Sequence, residues 1–491
     1  MPGATRVMAG WLTPVMWLMP AALMLSEGPD GLWVALLVML APLVGLATGA
    51  ARASRGPLAE PPLHAGILVL VAGLLIWANL ALAGDVAAAL GAPRWHGVVL
   101  TGGPALILAL WRRVPLVAPA LLAIALGGML LPLLVLAQAS GMGPLRAWEA
   151  LATRPTFRFP SASAWVTDGR ELSVGSSRPL LTLDEEQRIS APAGGTVRVH
   201  TREGTREAHQ DWTLGPGQAI APRPGDRLEA EPGTRLRFEA ERRVPGAPAS
   251  GAAWAVGRPS GWLARLGVGV TLLGGAIALL SEPRFVAPRR RTAALAGGLL
   301  LVALGWGQSW TVYGALQAPD LFLGGVTLSR VVEVPALAFA QGQLGSRLQA
   351  VLLIGLLAAF VATSAALIER PGAADSLTRA DVSRDLGLWL VVFAGAGAAS
   401  LWPVSPWAIT LWGLGLAASS LAPGAVLPAP SPRLGRAVTA LGLAVFVVLH
   451  GLRWLSGAPG GVTGAVFLHP VIAAVAVALA FRWVAGRLVS G

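Results

Sequence analysis

Apolar continuity constrains this chain more than any motif does. Long uncharged stretches run almost from end to end, and a single polar island, residues 139–260, breaks them. A helix needs about 20 apolar residues to cross the ~30 Å hydrocarbon core of a bilayer. Stretches of about that kind lie at 8–25, 31–50, 65–84, 96–111, 114–138, 261–281, 292–315, 348–369, 386–402, 406–422, 436–455 and 462–484. The sequence therefore predicts a polytopic α-helical membrane protein of about twelve transmembrane helices. Five helices form an N-terminal bundle over 1–138, and about seven form a C-terminal bundle over 261–491. Composition agrees, with 54% hydrophobic and 13% charged residues, where soluble domains carry roughly 25% charged residues.

Arginine placement tests this layout independently, because short cytoplasmic loops collect basic residues. With the N-terminus inside, the inner segments hold Arg6, Arg52, Arg55, Arg112, Arg113, Arg284, Arg289, Arg290, Arg291, Arg370, Arg379, Arg384, Arg433, Arg436, Arg482 and Arg487. Apart from the island, the opposite side holds only Arg94, Arg265, Arg330, Arg347 and Arg453. That asymmetry predicts both termini in the cytoplasm of a bacterial inner membrane, with 139–260 periplasmic or extracellular. The apolar stretch from Met8 to Leu25 has no small-residue cleavage site after it and reads as a retained helix rather than a removed leader.

Charge takes on meaning only after this partition. The formal net charge is +12, yet the island has sixteen arginines against fourteen acids and is close to neutral. The excess sits where anionic headgroups attract it, so membrane lipids are the expected partners and nucleic acid is not. All 37 basic residues are arginine, and Asn79 and Tyr313 are the sole residues of their types, a pattern of G/C-rich coding. The absence of cysteine excludes disulfides, thiolate metal sites, covalently attached haem and blue copper. Without lysine no Walker loop can exist, and no G-x-S-x-G elbow is present.

The island reads as an all-β domain, sandwich- or barrel-like, inserted after the fifth helix. Thr196 to Arg202 alternates Val197, Val199 and Thr201 with Arg198, His200 and Arg202, the period of a half-buried strand. Arg227 to Glu231 and Arg235 to Glu241 flank Pro232-Gly233 and are expected to pair as a hairpin, with Leu236, Phe238 and Ala240 on its inner face. Turns are expected at Gly194-Gly195, Gly215-Pro216-Gly217 and Pro224-Gly225-Asp226. A later loop, about 316–347, is too long for a turn and too interrupted for a span, and is expected to be interfacial or re-entrant. Arg330 and Glu333 could pair there at i,i+3.

Four constellations could carry chemistry. His450 and His469 fall at similar depths on adjacent antiparallel spans, where two imidazoles could hold a b-type haem, bind a quinone headgroup or relay protons, or could simply bond to backbone. Trp306, Gln308, Ser309, Trp310 and Tyr313 form a polar aromatic cluster that could line a pathway or face a partner, or anchor a span at the interface. Glu27, Asp30 and Asp85, with Arg94 and His96 across the next loop, could serve a membrane glycosyltransferase, or be solvated loop charges. His200, His209, Asp211 and Trp212 could form a site on the island, although no third ligand follows at metal spacing, so no metal centre is assigned.

No catalytic set stands out, and three function classes remain. The leading expectation is a non-enzymatic membrane component of a transport, translocation or assembly complex, whose outer domain docks a protein partner or cargo. The second is a redox or cofactor-handling subunit built on His450 and His469. The third is a glycan or lipid-linked-sugar transferase, polymerase or ligase.

Overall fold

The computed structural model describes residues 11, 13–53, 62–90, 92–110, 114–159, 163–166, 181–203, 206–230, 234–257, 262–280, 311–323, 330–339, 343–368, 390–401, 405–427, 431–455 and 470–490. Long helices dominate them, with a small antiparallel sheet region between. In chain order the helices before the sheets are α1 (Pro14–Glu27), α2 (Leu32–Ala53), α3 (Pro62–Ala89), α4 (Arg94–Leu110), α5 (Val114–Ser140) and a short α6 (Pro144–Ala152). After the sheets come α7 (Gly251–Val256), α8 (Trp262–Leu280), α9 (Thr311–Gln317), α10 (Val334–Ala338), α11 (Gln343–Ile368), α12 (Leu390–Ala399), α13 (Pro406–Ser420), α14 (Ala422–Val426), α15 (Pro432–Leu455) and α16 (Pro470–Ser490).

Among the described residues, five stretches are long and apolar enough to cross a membrane: Gly28–Thr48, Gly66–Ala89, Val117–Ser140, Gln343–Leu367 and Arg433–Leu452. Shorter apolar helices accompany them at Pro14–Leu25, Arg265–Leu280, Leu390–Ala399 and Pro470–Ala485. Their surfaces agree with a membrane location. Leu36, Leu40, Leu70, Val99, Leu100, Ile354 and Val447 are all exposed on bundle helices, where water would penalise them and lipid does not. The expected span at 292–315 lies mostly outside the described residues.

Small residues set how closely the helices approach. A Cβ placed on Gly128 of α5 would lie 2.4 Å from Gly355 Cα of α11, and one on Gly274 of α8 would lie 2.6 Å from Ala418 Cβ of α13. Backbones this close gain dispersion contacts along the crossing, the main attraction left once lipid removes any hydrophobic drive between helices. The glycine-rich patch Gly267 to Gly275 thus serves helix packing at Gly274 and Gly275.

Among the described residues the sheet region contains eight strands: β1 (Ser163–Val166), β2 (Leu181–Thr182), β3 (Ile189–Ser190), β4 (Gly195–Glu203), β5 (Arg206–Leu214), β6 (Ala219–Ile220), β7 (Arg227–Ala230) and β8 (Arg235–Phe238). They form two four-stranded antiparallel sheets, ordered β1-β8-β3-β6 and β2-β7-β4-β5. Alternation sets the buried faces. Val197 and Val199 of β4, Leu228 of β7, and Leu236 and Phe238 of β8 are buried, while Arg235 and Arg237 are exposed. The turns fall where glycines permit them, with Gly217 at φ 76° and Gly225 at φ 91°.

One expected pairing is corrected. The strands at 227–230 and 235–238 both form, but they do not pair with each other; β7 bonds to β2 and β4, and β8 to β1 and β3. Both strands bury leucine, at Leu228 and Leu236, but the chain changes sheet between them instead of reversing within one. The true hairpin is β4–β5, in register over nine residue pairs from Gly195↔Leu214 to Glu203↔Arg206.

Candidate functional site: the seam and the open sheet

The sheets are fastened to the helices by a layer of short elements. Trp254 of α7 is 1% exposed and donates from its indole to Met24 O at the end of α1, at 3.1 Å. Its ring lies 5.4 Å from that of Trp148 on α6. At the base of the sheets Phe157 packs its ring 4.9 Å from Phe322, and Arg154 beside it donates to Leu316 O at the end of α9. The Arg154 guanidinium lies over the Phe157 ring, 5.7 Å from its centre, and burial holds it below the usual arginine range. Asp30 and Arg265 pair at 2.9 Å, joining the turn after α1 to the start of α8. Tyr313 donates its hydroxyl to Met142 O, tying α9 to the end of α5.

Residues 318–323 and 331–335 are part of this layer. Ala318 to Leu323, Val331, Val332, Val334 and Pro335 are all buried, across the 3-10 turns Pro319–Phe322 and Arg330–Glu333. Below them a small apolar cavity opens between α1, α5, α10 and α11, lined by Leu18, Met129, Leu133, Val334 and Leu352 among others. Glu333 is half-buried, and Asp320 is buried.

The second sheet has one face open to solvent. On the solvent face of the second sheet, cross-strand neighbours form rows of mixed charge: Glu229, Arg198 and Asp211 in one, Arg227, His200 and His209 in the next. Arg198 binds Asp211 with both forks, Nε to Oδ1 at 2.6 Å and Nη2 to Oδ2 at 3.0 Å. This hydrogen-bonded guanidinium holds the Asp211 carboxyl below the usual carboxylate range. His200 Nε2 lies 3.3 Å from Glu229 Oε2, and its ring is 6.2 Å from that of His209. Trp212 is 41% exposed. Among the described residues no group of three or more His, Asp or Glu side chains converges as a metal site.

Within the bundle, polar side chains are few and buried. Asp85 at the end of α3 and Arg94 at the start of α4 form an ion pair, 7% and 8% exposed, and Arg94 Nη2 donates to Ser400 O beyond α12 at 3.2 Å. Arginine at a helix start opposes the helix dipole, and the carboxylate offsets this while the carbonyl takes another of its donors. Charges that read as solvated loop residues therefore form a sealed link between three helices. His96 packs against Trp95 instead, with ring centres 3.9 Å apart and planes tilted by 59°. Asn79 is 0% exposed in α3, and neither polar atom of its amide has a hydrogen-bond partner among the described residues.

The other sequence-predicted sites are only partly placed. His450 on α15 is half-buried, with Nδ1 3.1 Å from Phe446 O one turn earlier and the Phe446 ring 4.2 Å away. His469 lies outside the described residues, as do Trp306, Gln308, Ser309 and Trp310. Arg330 and Glu333 bracket one 3-10 turn. Sequence reasoning missed the roles of Trp254, Arg154, Phe157 and Phe322. A signal was available for Trp254: Ser250 caps α7, accepting from Ala253 N at 3.1 Å, and a capped six-residue helix carrying one tryptophan is a packing element rather than a linker.

No family model matches the chain, and no curated protein matches it in sequence.

Proposed function

We propose that this protein is a non-enzymatic, multi-pass component of a transport, translocation or assembly complex in a bacterial inner membrane. In this reading residues 139–260 form a β-sandwich on the periplasmic side that docks a protein partner or cargo. One observation carries it: the sheet region is fastened to the helices through contacts at Trp254, Phe157 and Arg154, while one face of the second sheet presents rows of charge and its edge strand carries an exposed tryptophan on the other face. A tethered domain that only filled space would have no need of a rigid joint. A docking domain gains from one, because a fixed orientation spares ordering entropy on binding. The arginine asymmetry supports the periplasmic side, and the five long apolar helices support the membrane setting.

The test is a native pull-down of the full chain with an absorption spectrum taken on the same sample. A stable co-purifying protein, lost when residues 150–255 are deleted, and a colourless preparation are expected. A Soret band abolished by His450→Ala or His469→Ala would replace this reading with the redox one. Loss of a cell-surface glycan on Asp30→Asn or Asp85→Asn, with no partner recovered, would replace it with the transferase one.

A further inference from the structure

Strand β5 is the end strand of its sheet and bonds to β4 through all nine residues. No strand among the described residues pairs with its other side. The three other end strands, β1, β2 and β6, have four, two and two residues. Short edges resist further pairing, whereas β5 has the length of a template. It contains no proline or glycine, its register has no bulge, and Ala208 to Thr213 are exposed without interruption.

We propose that β5 pairs antiparallel with β5 of a second copy of this chain, about a two-fold axis at Gln210, joining two four-stranded sheets into one of eight. The inference rests on the docking reading above in taking this sheet as the open one, and it names one occupant of its edge. Charge complementarity and register together select this pairing. With Gln210 opposite Gln210, His209 of each copy faces Asp211 of the other, so an imidazole meets a carboxylate twice. Ala208 then faces Trp212, a small residue beside a large exposed one, and the two Gln210 amides face each other as donor and acceptor. A slip of the axis by one residue toward His209 sets His209 against His209 and Glu207 against Asp211. A slip the other way sets Asp211 against Asp211. Like charges directly opposite destabilise a strand pair, so both neighbouring registers are disfavoured. Arg198 does not saturate Asp211, because an ionised carboxylate offers about four acceptor sites and the two forks use two.

The chain has no cysteine, so introduced thiols report cleanly. In native membranes oxidised before solubilisation, Gln210→Cys and the double variant His209→Cys/Asp211→Cys should each give a disulfide-linked dimer at least tenfold above His209→Cys alone. In detergent, dilution of the full chain should show a monomer–dimer equilibrium. His209→Asp should weaken it at least tenfold, and His209→Lys should not. Position 209 is exposed and neither substitution removes a member of the Arg198–Asp211 pair, and an unchanged Tm of each variant confirms that the fold is kept. A chain that stays monomeric, equal cross-linking at all three sites, or equal effects of Asp and Lys at 209 would overturn the inference. A monomer that still captures a different protein through residues 150–255 removes the inference and leaves the docking reading. A β5-linked dimer with no other protein bound does the reverse.

Discussion

The two ends of the sheet region follow opposite rules. Toward the helices, side chains are large, aromatic and enclosed: Trp254, Phe157 and Phe322 are buried, and Arg154 spends a donor on a helix-end carbonyl. On the solvent face of the second sheet, arginine, histidine, glutamate and aspartate lie in cross-strand rows, and no strand among the described residues pairs with the outer edge of β5. Buried aromatic contacts of the first kind contribute several kcal/mol each, at about 3–5 kcal/mol for a large aromatic side chain, while solvent screens ion pairs of the second kind and leaves them little net effect. Stability is therefore concentrated at the seam, and the open sheet is left available for specificity.

That contrast can be broken most directly at the seam. Trp254→Ala removes a buried indole and its bond to Met24, and should cost about 3–5 kcal/mol, read as a lower Tm and faster protease cleavage between 139 and 260. An unchanged Tm would mean the joint bears no load. A similar loss, about 3–5 kcal/mol, is expected for Asp85→Leu, which leaves Arg94 buried without its carboxylate. The double variant Asp85→Leu/Arg94→Leu should recover most of it, and a thermodynamic cycle over the four proteins measures the coupling.

Asn79→Leu sharpens the comparison from inside the bundle. Replacing a fully buried amide that has no partner among the described residues by an apolar side chain of similar size should be neutral or stabilising, by up to about 1–3 kcal/mol. Destabilisation instead would show that the amide holds a group in the native protein.

The smallest effect belongs to the open sheet. Asp211 has a depressed folded pKa, so the stability its pair with Arg198 contributes is complete above the unfolded value of about 3.9 and is lost as pH falls through the folded value. The Tm of the wild type should exceed that of Asp211→Asn slightly at neutral pH, and the difference should vanish in strong acid. A difference that grows toward low pH would contradict this sign.

Legibility followed the same division. The helices could be read because apolar runs of bilayer length need no tertiary context, and β8 could be read because Leu236 and Phe238 alternate with Arg235 and Arg237. Strand β5 could not. As an edge strand it is exposed from Ala208 to Thr213, so its sequence carries no alternation for periodicity to find. The partner of β8 was misread because local turn chemistry at Pro232-Gly233 says that the chain reverses, not that it changes sheet. The Asp85–Arg94 pair was visible as two charges flanking a loop, but their burial depends on helix ends contributed by residues near 400, a contact 306 residues away in sequence. The seam was opaque for the same reason, since Trp254 and Met24 meet across 230 residues.

The account stands most directly on what the open sheet binds. Wild type and His209→Ala/Asp211→Ala should be purified from native membranes under identical conditions, with Tm measured on both. The prediction is a shared Tm within about 0.5 kcal/mol of stability, as surface changes allow, and loss from the variant of the protein recovered with the wild type. Recovery of the same proteins with both would contradict the claim that this face is where the molecule meets its partner.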